Sequence, residues 1–278
     1  MSGTKKRERM AILPPRAFHK LIEKSCFVIE VADSINPEGT RSISLFRTVE
    51  KMKKPLLLVL NKVDLVPRWV AEAWMNYYRN MGISVVLSST TMRKGRQEIL
   101  KSILEISQTC NEEKKIGVIC GVPKTGKSSI LNMLKGKESA PTSRYPGKPG
   151  YTKSFTLYRV AEGVYIYDTP GVFPDARDKL ERIIRSNSPE KIIEPVKPSI
   201  EIIEMVKLQN PSKIKKLYGV DPQKENYEIL EDIAKNRGWL EKLSKEPLVE
   251  QAAIRIIMDY LDGKLGIFRL PPKKNSNL

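Results

Sequence analysis

Apolar residues in the first 175 positions gather into short, nearly uninterrupted runs: "CFVIEVAD", "PLLLVLNKVD", "ISVVLSS", "KIGVIC", "SFTLYRV" and "VYIYDTPG". Strict alternation would mark strands with one wet face, whereas continuous runs mark strands covered on both faces. Between them lie amphipathic segments such as "VAEAWMNYYRNMG", whose Gly82 suits a helix C-cap. This βα rhythm predicts an α/β domain with a doubly wound, mostly parallel sheet over residues 1–175. From residue 176 the rhythm becomes helical: "PSIEIIEMVKL", "PSKIKKLYG", "DPQKENYEILEDIAKNRG" and "EPLVEQAAIRIIMDYLDG" carry apolar positions at helical spacing. In the third, Asp221 is expected to cap a helix that starts at Pro222, turns Tyr227, Leu230 and Ile233 to the core and stops at Gly238. In the fourth, Val249, Ala252, Ala253, Ile256, Ile257 and Tyr260 make the core stripe and Gly263 closes it. Residues 176–278 are thus expected to form a second, smaller and mostly helical domain.

Three motifs fall at the ends of the strand-like runs. "GVPKTGKS" follows "KIGVIC" and precedes a helix-like stretch, the context that a G-x-x-x-x-G-K-[ST] phosphate loop requires. Gly121, Val122, Pro123, Lys124, Thr125, Gly126, Lys127, Ser128 and the adjoining Ser129 are the expected cradle. There backbone N–H groups and the helix N-terminus meet phosphate oxygens, Lys127 reaches the β and γ phosphates, and the Ser128 hydroxyl ligates Mg²⁺. "DTPG" ends "VYIY", which aims Asp168 at Mg²⁺ and the Gly171 N–H at the γ-phosphate. "NKVD" ends "PLLLVL": the Asp64 carboxylate can accept from N1–H and the exocyclic amine of guanine, while Asn61 and Lys62 hold the loop and the base. Ser89 and Thr90 of "VVLSSTT" are candidates for a second base loop, with a backbone N–H directed at the guanine O6. The ligands expected are GTP or GDP with Mg²⁺, and the reaction is hydrolysis of GTP to GDP and phosphate. Val172 and Phe173 follow "DTPG" where a water-orienting polar residue would stand, so slow intrinsic hydrolysis is expected.

The order of these motifs is base reader, second base loop, phosphate loop, Mg²⁺ switch, a rotation of the usual GTPase order. A parallel sheet is held by strand neighbours and not by chain order, and domain termini usually lie close together, so a circular permutation preserves the site. Together with "VADSINP" near the start and "IAKNRGWL" and "AAIRIIMDYLDGKLG" near the end, this order resembles the YlqF/YawG family of circularly permuted GTPases across nearly the whole chain. The resemblance implies a circularly permuted P-loop GTPase domain and a role in assembly of the large ribosomal subunit, with ribosomal RNA as partner. It also implies that "PGYT" is the first switch, which makes Thr152 a second Mg²⁺ ligand and a participant in catalysis beside Lys127 and Gly171. Many relatives carry Asn at the fourth phosphate-loop position, where this chain has Lys124, which puts a potassium-assisted mechanism in doubt. Lys124 is then either a tethered cation over the phosphates or a side chain turned to solvent or RNA. Where bacterial members often show "PGHM", this chain reads "ILPPRAF", and His19 falls in the first helix as a surface or core residue.

Charge narrows the partner. With 49 Lys and Arg against 32 Asp and Glu the chain carries a net +17, of which residues 1–175 hold +13 and residues 176–278 hold +4. A polyanion such as RNA fits this balance better than a basic partner. Acid-free stretches containing Arg144, Lys148, Lys153 and Arg159, and Lys207, Lys213, Lys215 and Lys216, read either as solvated faces or as RNA contacts. No run is long and apolar enough to span a membrane, the basic N-terminus lacks the apolar core of a signal peptide, and no lipid-anchor motif is found. Cys26, Cys110 and Cys120 are widely spaced, so neither a zinc site nor a disulfide framework is expected. These features favour a monomeric cytoplasmic protein that acts on the large subunit. A GTPase directed at tRNA or remodelling another RNA, and a regulatory GTPase with a protein partner, remain as alternatives.

Overall fold

The computed structural model describes residues 15–135, 143–144, 156–168 and 176–272. In chain order the elements are α1 (Pro15–Glu23), β1 (Phe27–Asp33), α2 (Ile43–Lys51), β2 (Leu56–Asn61), α3 (Arg68–Asn80), β3 (Ser84–Leu87), α4 (Arg96–Ser107), β4 (Lys115–Cys120) and α5 (Lys127–Leu134). Then follow β5 (Ser143–Arg144), β6 (Thr156–Ala161), β7 (Val164–Asp168), α6 (Lys179–Ser186), α7 (Val196–Gln209), α8 (Ser212–Tyr218), α9 (Asn226–Asn236) and α10 (Val249–Leu261). The sheet order is β3-β2-β1-β4-β7-β6-β5. Five strands from β3 to β7 are parallel, and β6 and β5 close that edge as antiparallel partners.

The two-sided burial read from the continuous runs is realised in β1, whose seven residues are all buried. Phe27, Ile29 and Val31 point to one face, where Ile99 and Ile103 of α4 and Ile130, Leu131 and Leu134 of α5 cover them. On the other face Ala32 joins Leu58 and Leu60 of β2 in a cluster that continues through Val70 and Trp74 of α3 into Ile202, Ile203, Ile233, Ile256 and Ile257 of the helical segment. The helices after residue 176 therefore share a core with the sheet. The stripes on α7, α9 and α10 find their apolar partner on the sheet-side layer.

Two expectations are corrected. The third helix begins at Asn226, four residues after Pro222, because the Asp221 carboxylate accepts from the Gln223 N–H and makes a local turn. Leu230 and Ile233 are buried as expected, whereas Tyr227 in the first turn is 51% exposed. Cys26 and Cys110 form a disulfide with Cα atoms 5.5 Å apart, although 84 positions separate them. The start of β1 and the segment after α4 meet at the end of the sheet remote from the phosphate loop, a proximity that spacing along the chain does not encode. Cys120 is free and buried, and burial pushes its thiol well above the ordinary value. His19 is exposed on α1.

Candidate nucleotide site

Strand register brings the motifs together. Asp33 at the end of β1 lies opposite Asn61 at the end of β2, and Ile119 in β4 lies opposite Asp168 at the end of β7. All these C-terminal ends open on one edge of the parallel sheet, where doubly wound folds bind ligands. Chain order is permuted, but strand adjacency is that of an uninterrupted site.

The phosphate loop leaves β4 at Gly121 (φ +155°), where a Cβ would lie 2.4 Å from the Val31 carbonyl oxygen. Only glycine lets the loop pass that close to β1. Thr125, fully buried, donates through Oγ1 to the Val122 carbonyl (2.9 Å) and closes the loop on itself. At Gly126 (φ +94°) a Cβ would meet Asn61 Nδ2 at 2.1 Å, and that amide donates to the Thr125 carbonyl (2.9 Å). Phosphate loop and base reader are thus one hydrogen-bonded unit. Lys127 opens α5, is 9% exposed and places Nζ 3.7 Å from Asp168 Oδ1. Burial lowers the Lys127 pKa, against the attraction of Asp168. Ser128 and Ser129 are exposed at the start of the helix. Val122 is buried, while Pro123 is half-buried on the loop.

In the base loop Lys62 adopts a left-handed backbone (φ +64°), and Asp64 is exposed in a short 3₁₀ turn, Val63–Leu65. The second base loop is bound to the first by the Val63 N–H, which donates to the Ser88 carbonyl (3.1 Å). Within it the Ser89 N–H donates to Lys94 O and the Ser89 hydroxyl accepts from the Met92 N–H, so Ser89 is engaged inside its own loop. Thr90 is the half-buried residue next to it. Thr152 and Gly171, like the switch residues Val172 and Phe173, lie outside the described residues.

The donor set fits a guanine nucleotide with a divalent cation. Asn61 Oδ1 is buried and lacks a hydrogen-bond partner, and Asp168 Oδ1 has only the Lys127 ammonium at 3.7 Å, which leaves both with capacity to meet a group beyond the chain. Among the described residues no group of three or more His, Cys, Asp or Glu could hold a metal ion. A cation beside Asp168 must therefore complete its shell with hydroxyl, water and phosphate oxygens, the preference of Mg²⁺.

Lys124 departs from both expected placements. Its backbone is left-handed (φ +65°), and its Nζ donates to the carbonyls of Ile184 (2.8 Å) and Asn187 at the C-terminal end of α6. Burial, then the like charge of Arg185, lowers its pKa to about 8. Three residues not singled out from the sequence complete this side of the site. Asp33, fully buried, pairs with Lys62 (2.7 Å) and Arg185 (3.0 Å), and Arg185 pairs with Glu181 (2.6 Å). Burial raises the Asp33 pKa, yet Arg185 and Lys62 together hold it below the ordinary value. Its position at a strand end, like that of Asp168, is the signal that could have drawn attention to it.

The sequence matches the RsgA GTPase family over residues 22–174 and the 50S ribosome-binding GTPase family over residues 116–237. It is 33% identical to the uncharacterized GTP-binding protein MJ1464 of Methanocaldococcus jannaschii, over 92% of this chain and 67% of that protein. It is 30% identical to nucleolar GTP-binding protein 2 of Saccharomyces cerevisiae over 92% of this chain, which spans only 53% of that longer relative. The fold superposes on GNP-bound YlqF from T. maritima with a TM-score of 0.62 at 24% identity, covering 92% of this chain and 97% of the other. With its motifs in permuted order on a common sheet edge, the chain belongs to the YlqF/YawG family of circularly permuted GTPases.

Proposed function

We propose that this protein is a GTP-hydrolysing switch that acts in assembly of the large ribosomal subunit by binding ribosomal RNA, as a monomer in the cytoplasm. The observation that carries the nucleotide reading is the Asn61–Thr125 hydrogen bond, which welds a guanine-reading loop to a phosphate loop at the edge of a parallel sheet. Asp64 reads the base, Thr90 rather than the internally engaged Ser89 offers a second contact, and residues 121–129 hold the phosphates. Lys127 neutralises charge that develops on the β and γ phosphates. Ser128, Thr152 and Asp168 would hold Mg²⁺, which supplies further charge neutralisation when bound.

The ribosomal reading is supported by the net +17, by the exposed Lys215 and Lys216 on α8, and by the names of the relatives. Among the described residues no helix is long and apolar enough to cross a membrane. Two measurements test the proposal. Wild-type protein should bind GTP and GDP but not ATP, and Asp64→Asn should transfer the preference to xanthosine nucleotides; equal affinity for ATP would refute the base assignment. On sucrose gradients the protein should co-sediment with large subunits in the presence of a non-hydrolysable GTP analogue. Migration as free protein under all nucleotide conditions would refute the ribosomal reading.

A further inference from the structure

A cluster of charged side chains beside the nucleotide loops is buried almost completely: Asp33 and Glu181 are 0% exposed and Arg185 is 1% exposed. Arg185 is its centre. From α6 it reaches Asp33 (3.0 Å) and Glu181 (2.6 Å), and its Nη1 donates to the Lys124 carbonyl in the phosphate loop (3.2 Å). Glu181 is held in turn by the Tyr260 hydroxyl (2.5 Å) and the Asn36 amide (3.0 Å). Asp33 divides its charge between Arg185 and Lys62, the lysine of the base loop, whose Nζ also lies 3.3 Å from the carbonyl of Leu261 at the end of α10. The contact runs in both directions, since Lys124 Nζ reaches the final carbonyls of α6 while its own carbonyl accepts from Arg185.

Burying three charges is costly, and replacing such a cluster by apolar groups is often neutral or stabilising, so fold stability alone does not account for it. What the geometry does supply is placement. Two loops that must hold one ligand are tied to a single guanidinium that belongs to neither. We propose that Arg185 is a positioning residue of the nucleotide site: it fixes the phosphate loop at Lys124 and, through Asp33, the base-loop Lys62, so that guanine-nucleotide binding and docking of α6 are one linked equilibrium. The proposal rests on the guanine-nucleotide reading above. Linkage is reciprocal: if docked α6 strengthens nucleotide binding, bound nucleotide must strengthen the docking of α6 by the same factor.

The test uses the full chain as wild type, Arg185→Lys, Arg185→Met and the double variant Glu181→Gln/Arg185→Met. Fluorescent GDP titration gives affinity, thermal melting without nucleotide gives stability, and amide exchange over residues 179–187 with and without GDP gives docking. Arg185→Met should weaken GDP binding by at least about tenfold, as the loss of a charge-assisted contact implies, and should abolish the GDP-dependent protection of α6. Arg185→Lys, which keeps the charge without the fork, should recover part of the affinity. The double variant restores neutrality in the cluster, with Asp33 facing Lys62 alone. It should regain most of the lost melting temperature while its affinity stays low. Return of affinity together with stability in the double variant would overturn the proposal, as would wild-type affinity in Arg185→Met. Should Arg185→Met fail to fold, Arg185→Lys and the double variant still decide. Absence of GDP binding by the folded wild type would instead remove the guanine reading and this proposal with it.

Discussion

Gly126→Ala is a sharp probe of the contact between the two nucleotide loops. At φ +94° an alanine costs about 1 kcal/mol in backbone strain. Its methyl would stand 2.1 Å from Asn61 Nδ2, a distance no real Cβ contact tolerates, so Asn61 must move and release the Thr125 carbonyl. Asn61 is 1% exposed, and breaking a buried hydrogen bond costs about 1–3 kcal/mol. The expected loss of stability is about 3 kcal/mol, or about 7 °C in melting temperature for a chain of this size. The hydrogen-bond part falls on the base reader itself, so GDP affinity should drop about tenfold. Gly82→Ala is the matched control, because Gly82 has φ +74° but nothing lies within 4 Å of the point its methyl would occupy. It should show the backbone strain alone, about 2 °C, with unchanged GDP affinity. Differential scanning fluorimetry and fluorescent GDP titration on both variants make the comparison. Equal melting shifts in the two variants, or full affinity in Gly126→Ala, would refute the idea that Asn61 and Gly126 form one unit.

Lys124 should titrate near 8, seen as a ¹³C-methyl lysine resonance that vanishes in Lys124→Arg. Since its folded pKa lies below the ordinary 10.5, the unfolded chain binds the extra proton between the two values. Its contribution to stability is therefore present above pH 10.5 and is lost as pH falls through about 8. If every lysine signal titrates near 10.5, the placement of its ammonium against α6 is wrong. Under non-reducing conditions peptide mapping should recover Cys26 joined to Cys110, with Cys120 resisting iodoacetamide until the chain is unfolded. Alkylation of Cys26 and Cys110 in the folded, unreduced protein would contradict the pairing.

The placement of a motif on the common sheet edge was legible wherever it coincided with a strand end. "PLLLVL" before Asn61, "KIGVIC" before Gly121 and "VYIY" before Asp168 are runs whose two-sided burial is a local property of the chain, and a parallel sheet then delivers their ends to one edge. Where the outcome depended on a partner far along the chain, the sequence was silent or misleading. On sequence alone Lys124 reads as a cation over the phosphates or one turned to solvent or RNA, because the carbonyls that receive it lie 60 positions or more away, at Ile184 and Asn187. Asp33 sits in plain view in "VADSINP", but its significance comes from Arg185, and nothing in the spacing pairs residue 33 with residue 185.

By itself, then, the order of residues determined the alternation of strands and helices and the permuted succession of the "NKVD", "GVPKTGKS" and "DTPG" motifs, on which the ligand chemistry proposed for each loop rests. These are matters of periodicity and of side-chain type at a strand end, which act over a few residues. Tertiary structure alone decided that the helical segment shares the core of the sheet, that Cys26 meets Cys110, and that Arg185 closes a buried charge cluster behind the nucleotide loops. Each of these depends on elements distant in sequence coming into van der Waals contact, where burial makes a charge or a thiol respond to its neighbours in space rather than its neighbours in the chain.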